Sequence, residues 1–100
     1  MNPFSDTETF SGQITGQMLL SIIKKVVESY VRREVIPQRE SEDVVMSIVE
    51  KICSQKERIE SRFEGKSKIS TYYIAVINRM CCEVIRKENR NWYLIEDVDN

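Results

Sequence analysis

The sequence contains no histidine, and its few cysteines lack the spacing of a metal site. Without histidine, the chain has neither the usual general base at neutral pH nor the commonest zinc ligand. Cys53, Cys81 and Cys82 include no Cys-x-x-Cys pair, and three thiols do not complete a disulfide framework. A glycine-rich loop that would hold the phosphates of a nucleotide is also missing. The sequence therefore predicts a protein that is not an enzyme, with no catalytic residue, no metal and no cofactor.

Long apolar runs are absent as well, which bears on where the chain works. Runs such as Met18-Leu19-Leu20 are far shorter than the roughly 20 apolar residues that a membrane-spanning helix needs. Residues 1–10 are polar and acidic and do not have the basic-then-apolar order of a secretion signal. Free thiols are typical of a reducing compartment. We therefore expect no membrane span and a cytoplasmic location.

The adjacent cysteines have two interpretations. Cys81 and Cys82 fit two small residues on a helix, with one or both buried, because free cysteine behaves as a small apolar side chain. The alternative is a redox switch. The sequence favours the first interpretation.

Glycine and proline are scarce, at three and two residues, which favours helices over a turn-rich chain. Apolar residues recur at three- and four-residue steps, the period of one helix face. This pattern predicts a first helix from about Gln13, stopped by Pro37 because the residue before proline avoids helical angles. It predicts a second helix that starts at Ser41, acting as N-cap, and ends at Gly65.

A third helix is predicted from about Ser70 to Asn89, and no segment alternates like a strand. Residues 1–12 are interpreted as a flexible lead-in, and residues 93–100 as the start of an acidic linker or tail. The predicted fold is all-α, a compact three- to four-helix bundle formed by residues 13–92.

The net charge of −1 conceals an uneven distribution. Residues 65–92 hold six basic and two acidic side chains, an excess of +4. Arg79, Arg86 and Arg90 are separated by seven and then four residues, which places them on one side of the third helix. Tyrosines 72, 73 and 93 and Trp92 are interleaved with these cations. Such a pattern indicates a nucleic-acid surface, on which cations bind phosphates and rings stack on bases. A solvated helix with core aromatics is the alternative.

Three segments in order resemble region 2 of bacterial RNA polymerase sigma factors, most closely those of the extracytoplasmic-function group. They are the acidic helix start at 41–45, the loop Phe-x-Gly-x-Ser at 63–67 with the aromatic pair at 72–73, and the Glu-Val-Ile-Arg-Lys segment at 83–87. The resemblance covers residues 12–92. It implies a domain that binds the clamp coiled coil of core RNA polymerase and that recognises and helps melt the promoter −10 element.

The chain departs from the family pattern at several positions. Met46 and Ser47 stand where the family has Gln-Glu, and Tyr72 stands where it has tryptophan. The pair Asn78-Arg79 is reversed, and Glu83 replaces aspartate. The second domain of such factors, which reads the −35 element, is not in these 100 residues, so we expect either a fragment or a stand-alone relative.

The resemblance implies two sets of site residues. The DNA-binding set is Gly65, Lys66, Ser67, Lys68, Tyr72, Arg79, Arg86, Lys87 and Arg90. The polymerase-binding set is Asp43, Met46, Ser47 and Glu50. We expect Tyr72 to be exposed to DNA and Tyr73 to lie in the core, because adjacent helix residues point about 100° apart. A first-turn carboxylate that favours the helix dipole is the alternative role for Asp43.

A different class of function is also consistent with the sequence. A helical protein-interaction module, or a mimic of a sigma domain, would bind an anti-sigma factor or another regulatory protein without binding DNA. The dependence of DNA affinity on salt distinguishes the two classes, because only phosphate binding weakens steeply as ionic strength rises.

Overall fold

The computed structural model describes the backbone of residues 14–99 and the side chains of residues 14–92. Within this range the chain forms three α-helices and a single 3₁₀ turn. They are α1 (Gly16–Arg32), the turn Gln38–Glu40, α2 (Ser41–Ser61) and α3 (Ile69–Asp99). No strand occurs among these residues. The predicted all-α helical bundle is confirmed.

Helix α1 is held at both ends by contacts that satisfy its terminal backbone groups. The Thr15 hydroxyl accepts a hydrogen bond of 3.1 Å from the backbone N–H of Met18, which makes Thr15 the N-cap. At the other end Glu34 adopts a positive φ of 62°. The backbone N–H groups of Val35 and Ile36 then donate to the carbonyl of Tyr30. The helix therefore ends in a left-handed turn before Pro37 is reached, and the prediction that proline stops it was wrong.

Helix α2 begins at Ser41 as predicted, but Ser41 is not its N-cap. The preceding 3₁₀ turn leads directly into the helix, so that Glu40 occupies the cap position with near-helical angles (φ −99°, ψ −2°) and makes no side-chain cap bond. Glu42 and Asp43 still lie in the first turn, where the helix dipole favours negative charge. The helix ends at Ser61, before the predicted stop at Gly65.

Helix α3 is longer than predicted. It starts at Ile69, and its backbone remains helical past Asn89 as far as Asp99, through the segment interpreted as an acidic linker or tail. The side chains of residues 93–100, including Tyr93, and the lead-in at 1–12 lie outside the described residues.

The core lies between α1, α2 and α3, and the connector between α1 and α2 contributes to it. Fully buried side chains come from each helix, for example Ile23, Ile48 and Ile77. Ile36, in the connector, is also completely buried. The guanidinium of Arg39 donates a 3.1 Å hydrogen bond to the carbonyl of Trp92, which ties the connector to α3. Within residues 14–99, no helix combines the length and the apolar character required to cross a bilayer.

Candidate nucleic-acid interface

The outer face of α3 carries a line of cations. We call Arg79, Arg86 and Arg90 the arginine row; all three side chains are exposed. At about 1.5 Å of rise per residue, the row extends over roughly 16 Å of the helix axis. Within residues 14–92, none of the three guanidinium groups makes an ion pair or hydrogen bond. The row is therefore a set of cations with no partner among the described side chains.

The direction of the row follows from what α3 buries. Tyr73, Ile77 and Val84 are buried on the side of the helix that faces α1 and α2. Each residue of a helix is rotated by about 100° from the one before it. This rotation places Arg79, Arg86 and Arg90 on the side of α3 that faces away from α1 and α2. Glu83 is exposed and lies four residues after Arg79, so one carboxylate among the described side chains stands beside the row.

The loop before α3 presents the other predicted DNA-binding residues to solvent. Gly65, Lys66, Ser67 and Lys68 are all exposed. Lys66 pairs with Glu64 at 3.0 Å, an exposed ion pair of little energetic weight. Gly65 has a positive φ of 75°, and a Cβ atom there would meet nothing within 4 Å. Glycine is therefore favoured at this position by the backbone angle and not by close packing.

The aromatic pair at the start of α3 differs from the prediction in one member. Tyr73 is completely buried, as predicted. Tyr72 is half-buried: its ring packs 5.1 Å from that of Phe63, and its hydroxyl donates a 2.5 Å hydrogen bond to the carbonyl of Ile59. The prediction of an exposed Tyr72 was wrong, because the last turn of α2 and Phe63 cover the ring. Trp92 is also buried and so offers no free face to a base.

A polar cluster fastens the start of α3 to the end of α2. The Tyr73 hydroxyl donates to the Glu60 carboxylate at 2.7 Å, and Lys56 pairs with the same carboxylate at 2.8 Å. Burial, followed by the hydrogen bond to Glu60, raises the pKa of Tyr73 above its ordinary value. Burial alone would raise the pKa of Glu60, but the hydrogen bonds from Lys56 and Tyr73 lower it. The cluster therefore keeps an ionised carboxylate where the loop 62–68 leaves α2.

The predicted polymerase-binding residues lie along the outer side of α2. Asp43, Met46 and Glu50 are exposed, with 56% of Met46 accessible, and Ser47 is half-buried. Asp43 and Ser47 border a groove of about 290 Å³ between α2 and α3. Met46 instead borders a groove of about 600 Å³ between α1 and α2. The set therefore occupies the ridge between two grooves.

Lys87 is separated from the rest of the predicted DNA-binding set. Its side chain lines the groove between α2 and α3, together with Asp43 and Ser47. Its position follows from its place on the helix, since residue 87 points about 100° away from Arg86. The structure thus brings Lys87 next to the predicted polymerase-binding residues.

Sequence reasoning missed a contact between α1 and α3. The Tyr30 hydroxyl donates to the side-chain oxygen of Asn78 at 3.0 Å and lies 3.6 Å from the sulfur of Cys82. The guanidinium of Arg33 sits 4.5 Å from the centre of the Tyr30 ring. The spacing of Tyr30 in the sequence predicts only that it lies on the apolar face of α1, and nothing in that spacing indicates which polar groups its hydroxyl meets.

The adjacent cysteines fit the first of their two interpretations. Cys81 is completely buried, and burial raises the pKa of its thiol to about 12. Cys82 is exposed, as is Cys53. The prediction of two small helix residues with at least one buried is confirmed.

The described residues contain no group of three or more Cys, Asp and Glu side chains placed to hold a metal ion. Comparison with protein-family models, with curated proteins and with solved structures finds no match for the chain.

Proposed function

We propose that the chain is a sigma-like domain that binds promoter DNA through the outer face of α3 and core RNA polymerase through the outer side of α2. The observation that carries the proposal is the arginine row, whose three exposed cations have no partner among the described side chains. Other exposed cations, such as Arg58, also lack a partner among the described side chains, but the members of the row are distinguished by lying on one side of a single helix. Cations aligned in this way are available to successive phosphates of a strand.

The loop and the row divide the DNA-binding role between them. Gly65, Lys66, Ser67 and Lys68 form an exposed segment at one end of α3, and the row continues along the helix. The loop offers backbone groups and two cations to a displaced strand, and the arginines follow that strand along the helix. In this proposal Tyr72 contributes by holding the loop through Phe63 and Ile59, since its ring is not free to stack on a base.

The polymerase-binding role rests on the ridge of α2. Among the described residues, Met46 is the most exposed of the large apolar side chains, with 56% of its surface accessible. Asp43 and Glu50 supply negative charge on either side of it. An adaptable apolar side chain flanked by carboxylates suits the surface of a basic or mixed-charge partner helix.

The second candidate function is a protein-interaction module that does not bind DNA. The groove between α1 and α2 favours it, because Leu20, Val31 and Val45 line that groove together with Met46. An apolar groove of this kind accepts the apolar face of a partner helix. The two functions make opposite predictions for DNA affinity.

Removal of the arginine row is expected to weaken binding to a single-stranded −10 oligonucleotide. Each phosphate that is neutralised contributes about 0.7 to the slope of log K against log salt for single strands, so R79A/R86A/R90A should lower that slope by about 2. At 0.1 M salt this corresponds to a loss of roughly 100-fold. Fluorescence anisotropy across a salt series measures both quantities.

The matched control removes the same charge from elsewhere on the surface. Lys24, Lys25 and Arg58 are exposed residues of α1 and α2, so K24A/K25A/R58A changes the net charge equally. We expect this variant to keep the wild-type slope to within about 0.5. Equal slopes for the two triple variants would contradict the proposal, and no binding by the wild type at any salt would favour the second candidate.

Substitution of Met46 by aspartate is expected to weaken capture by the polymerase clamp coiled coil by about tenfold or more, because a charge would be buried in an apolar contact. Ile74→Asp is the control, since Ile74 is also an exposed apolar residue, 42% accessible, but lies on α3. A pull-down titration with the isolated coiled coil measures the loss. If the coiled coil captures Met46→Asp as well as it captures the wild type, α2 is not the polymerase-binding surface.

A further inference from the structure

The groove between α1 and α2 combines an apolar lining with charged rims. Val27 is buried in the groove, whereas Leu20 on α1 and Met46 on α2 are open to solvent, with 36% and 56% of their surfaces accessible. Exposed large apolar side chains that share one groove mark a surface that another molecule covers.

Two rows of opposite charge follow this groove. The α1 row consists of the exposed cations Lys24 and Arg32, and the α2 row consists of the exposed carboxylates Glu42 and Glu50. Lys24, Arg32 and Glu42 line the groove, and Glu50 lies one turn after Met46 on the ridge beside it. The members of each row are eight residues apart, so both rows extend over about 12 Å of helix axis.

Most of these charges have no partner within the described part of the protomer. Lys24, Glu42 and Glu50 make no ion pair or hydrogen bond to another described side chain. Arg32 pairs with Glu28 at 3.4 Å, but both side chains are exposed, and such a pair has little energetic weight. The two rows are therefore available to charges on another molecule.

We infer that a second copy of this chain docks on the groove, with α1 of one protomer lying along α2 of its partner. Only the short connector 33–40 joins the two helices, so they run in opposite directions, and Arg32 and Glu42 both lie near the connector. A two-fold axis parallel to the helices then places Arg32 opposite the partner's Glu42. The same axis places Lys24 opposite the partner's Glu50, because the two rows have equal length.

The charges select this arrangement over the other two-fold arrangement of the same face. With the axis perpendicular to the helices, Lys24 would face the partner's Arg32, and Glu42 would face the partner's Glu50. Like charges placed opposite each other disfavour that pairing. A second copy supplies the complement of both rows by symmetry, whereas a different protein would need its own matching pattern. The net charge of −1 leaves little long-range repulsion between two copies.

The size of the face indicates a weak dimer. Helix α1 has 17 residues and is therefore about 25 Å long, and two packed helices are roughly 20 Å wide. The face would bury about 500 Å² per protomer, or about 1,000 Å² in total, which is at the lower limit for a specific interface. We therefore expect a transient dimer with a dissociation constant on the order of tens of micromolar.

The test is sedimentation equilibrium of the full chain from about 5 µM to about 1 mM. The average mass of the wild type should rise from the 11.8 kDa of one chain toward twice that value. K24E/R32E and E42K/E50K each give both rows the same sign, so each variant alone should dimerise at least about tenfold more weakly. An equimolar mixture of the two variants restores opposite charges across both contacts. The mixture should therefore dimerise to within about threefold of the wild type.

The matched controls reverse the same number of charges at exposed positions outside α1 and α2. K68E/R79E and E64K/E83K, alone or mixed, should keep the wild-type dissociation constant to within about twofold. All the substituted residues of the test variants are exposed, so these variants remain folded, which far-UV circular dichroism verifies.

Three outcomes overturn the inference. They are a wild type that stays monomeric up to about 1 mM, a mixture that dimerises no better than its components, and control variants that weaken the dimer as much as the test variants. If the wild type is monomeric and removal of residues 1–12 produces a dimer, that segment occupies the groove. If both forms are monomeric, the groove is left to a protein of another sequence.

The dimer would cover Met46, which belongs to the proposed polymerase-binding set. The inference of a dimer does not depend on the proposed function, but one consequence does: excess clamp coiled coil should dissociate the dimer, because both partners need the same side chain. A coiled coil that leaves the wild-type dimer intact would contradict the polymerase-binding role of α2 and would leave the dimer itself standing.

Discussion

Replacing Tyr73 with alanine is expected to lower the free energy of unfolding by about 3–5 kcal/mol. Tyr73 is completely buried, with 0% of its surface accessible, so the substitution leaves a cavity between α2 and α3. It also removes the hydroxyl that donates to Glu60, and an under-satisfied carboxylate adds to the cost. Urea denaturation followed by far-UV circular dichroism measures the change.

Tyr73→Phe separates the two contributions. The ring is kept and only the hydrogen bond to Glu60 is lost, so we expect a smaller destabilisation of about 1–2 kcal/mol. Lys56 still pairs with the carboxylate in this variant. If Tyr73→Ala prevents folding, the phenylalanine variant remains measurable. A loss below about 1 kcal/mol for Tyr73→Ala would show that the contact between the start of α3 and the end of α2 does not stabilise the fold.

Ile36→Ala is expected to destabilise the chain by about 2–5 kcal/mol, although Ile36 lies outside every helix. Its side chain is 0% accessible, and its backbone N–H donates to the Tyr30 carbonyl at the end of α1. Truncation therefore removes core packing at the point where the chain turns from α1 toward α2. The same denaturation experiment measures the loss.

Ile74→Ala provides the comparison within one residue type. Ile74 is 42% accessible on α3, and truncation there should cost less than about 1 kcal/mol. Equal losses for the two variants would mean that the connector does not pack as described. A large loss for Ile36→Ala alone would establish the connector as part of the core.

The helices themselves were predictable, because each buries one side and therefore repeats its apolar residues at helical spacing. Val44, Ile48 and Ile52 on α2 illustrate this, and all three are buried. The helix ends were less predictable, since they depend on local backbone angles. The positive φ of Glu34 ends α1 at a residue that has no special preference for that conformation. The burial of Ile36 in the connector has no periodic pattern to reveal it.

The candidate site was predictable to a similar degree. The exposure of Arg79, Arg86 and Arg90 on one side follows from spacing alone, and the structure agrees. The covering of Tyr72 by Phe63 depends on the path of the loop 62–68 between α2 and α3, and the resulting contact cannot be read from helical spacing. Lys87 shares a sequence segment with the row, but it faces α2 because of its angle on the helix.

The burial of Trp92 gives the chain an internal spectroscopic reporter. The sequence has one tryptophan, so indole emission comes from a single buried residue of α3, which borders the groove between α2 and α3. That emission should lie at short wavelength while the ring is buried, and it should shift to longer wavelength if α3 separates from α2. A strand that binds the outer face of α3 and leaves the helix packing unchanged would therefore be invisible to tryptophan fluorescence. A shift to longer wavelength during such a titration would therefore report loss of helix packing and not strand binding.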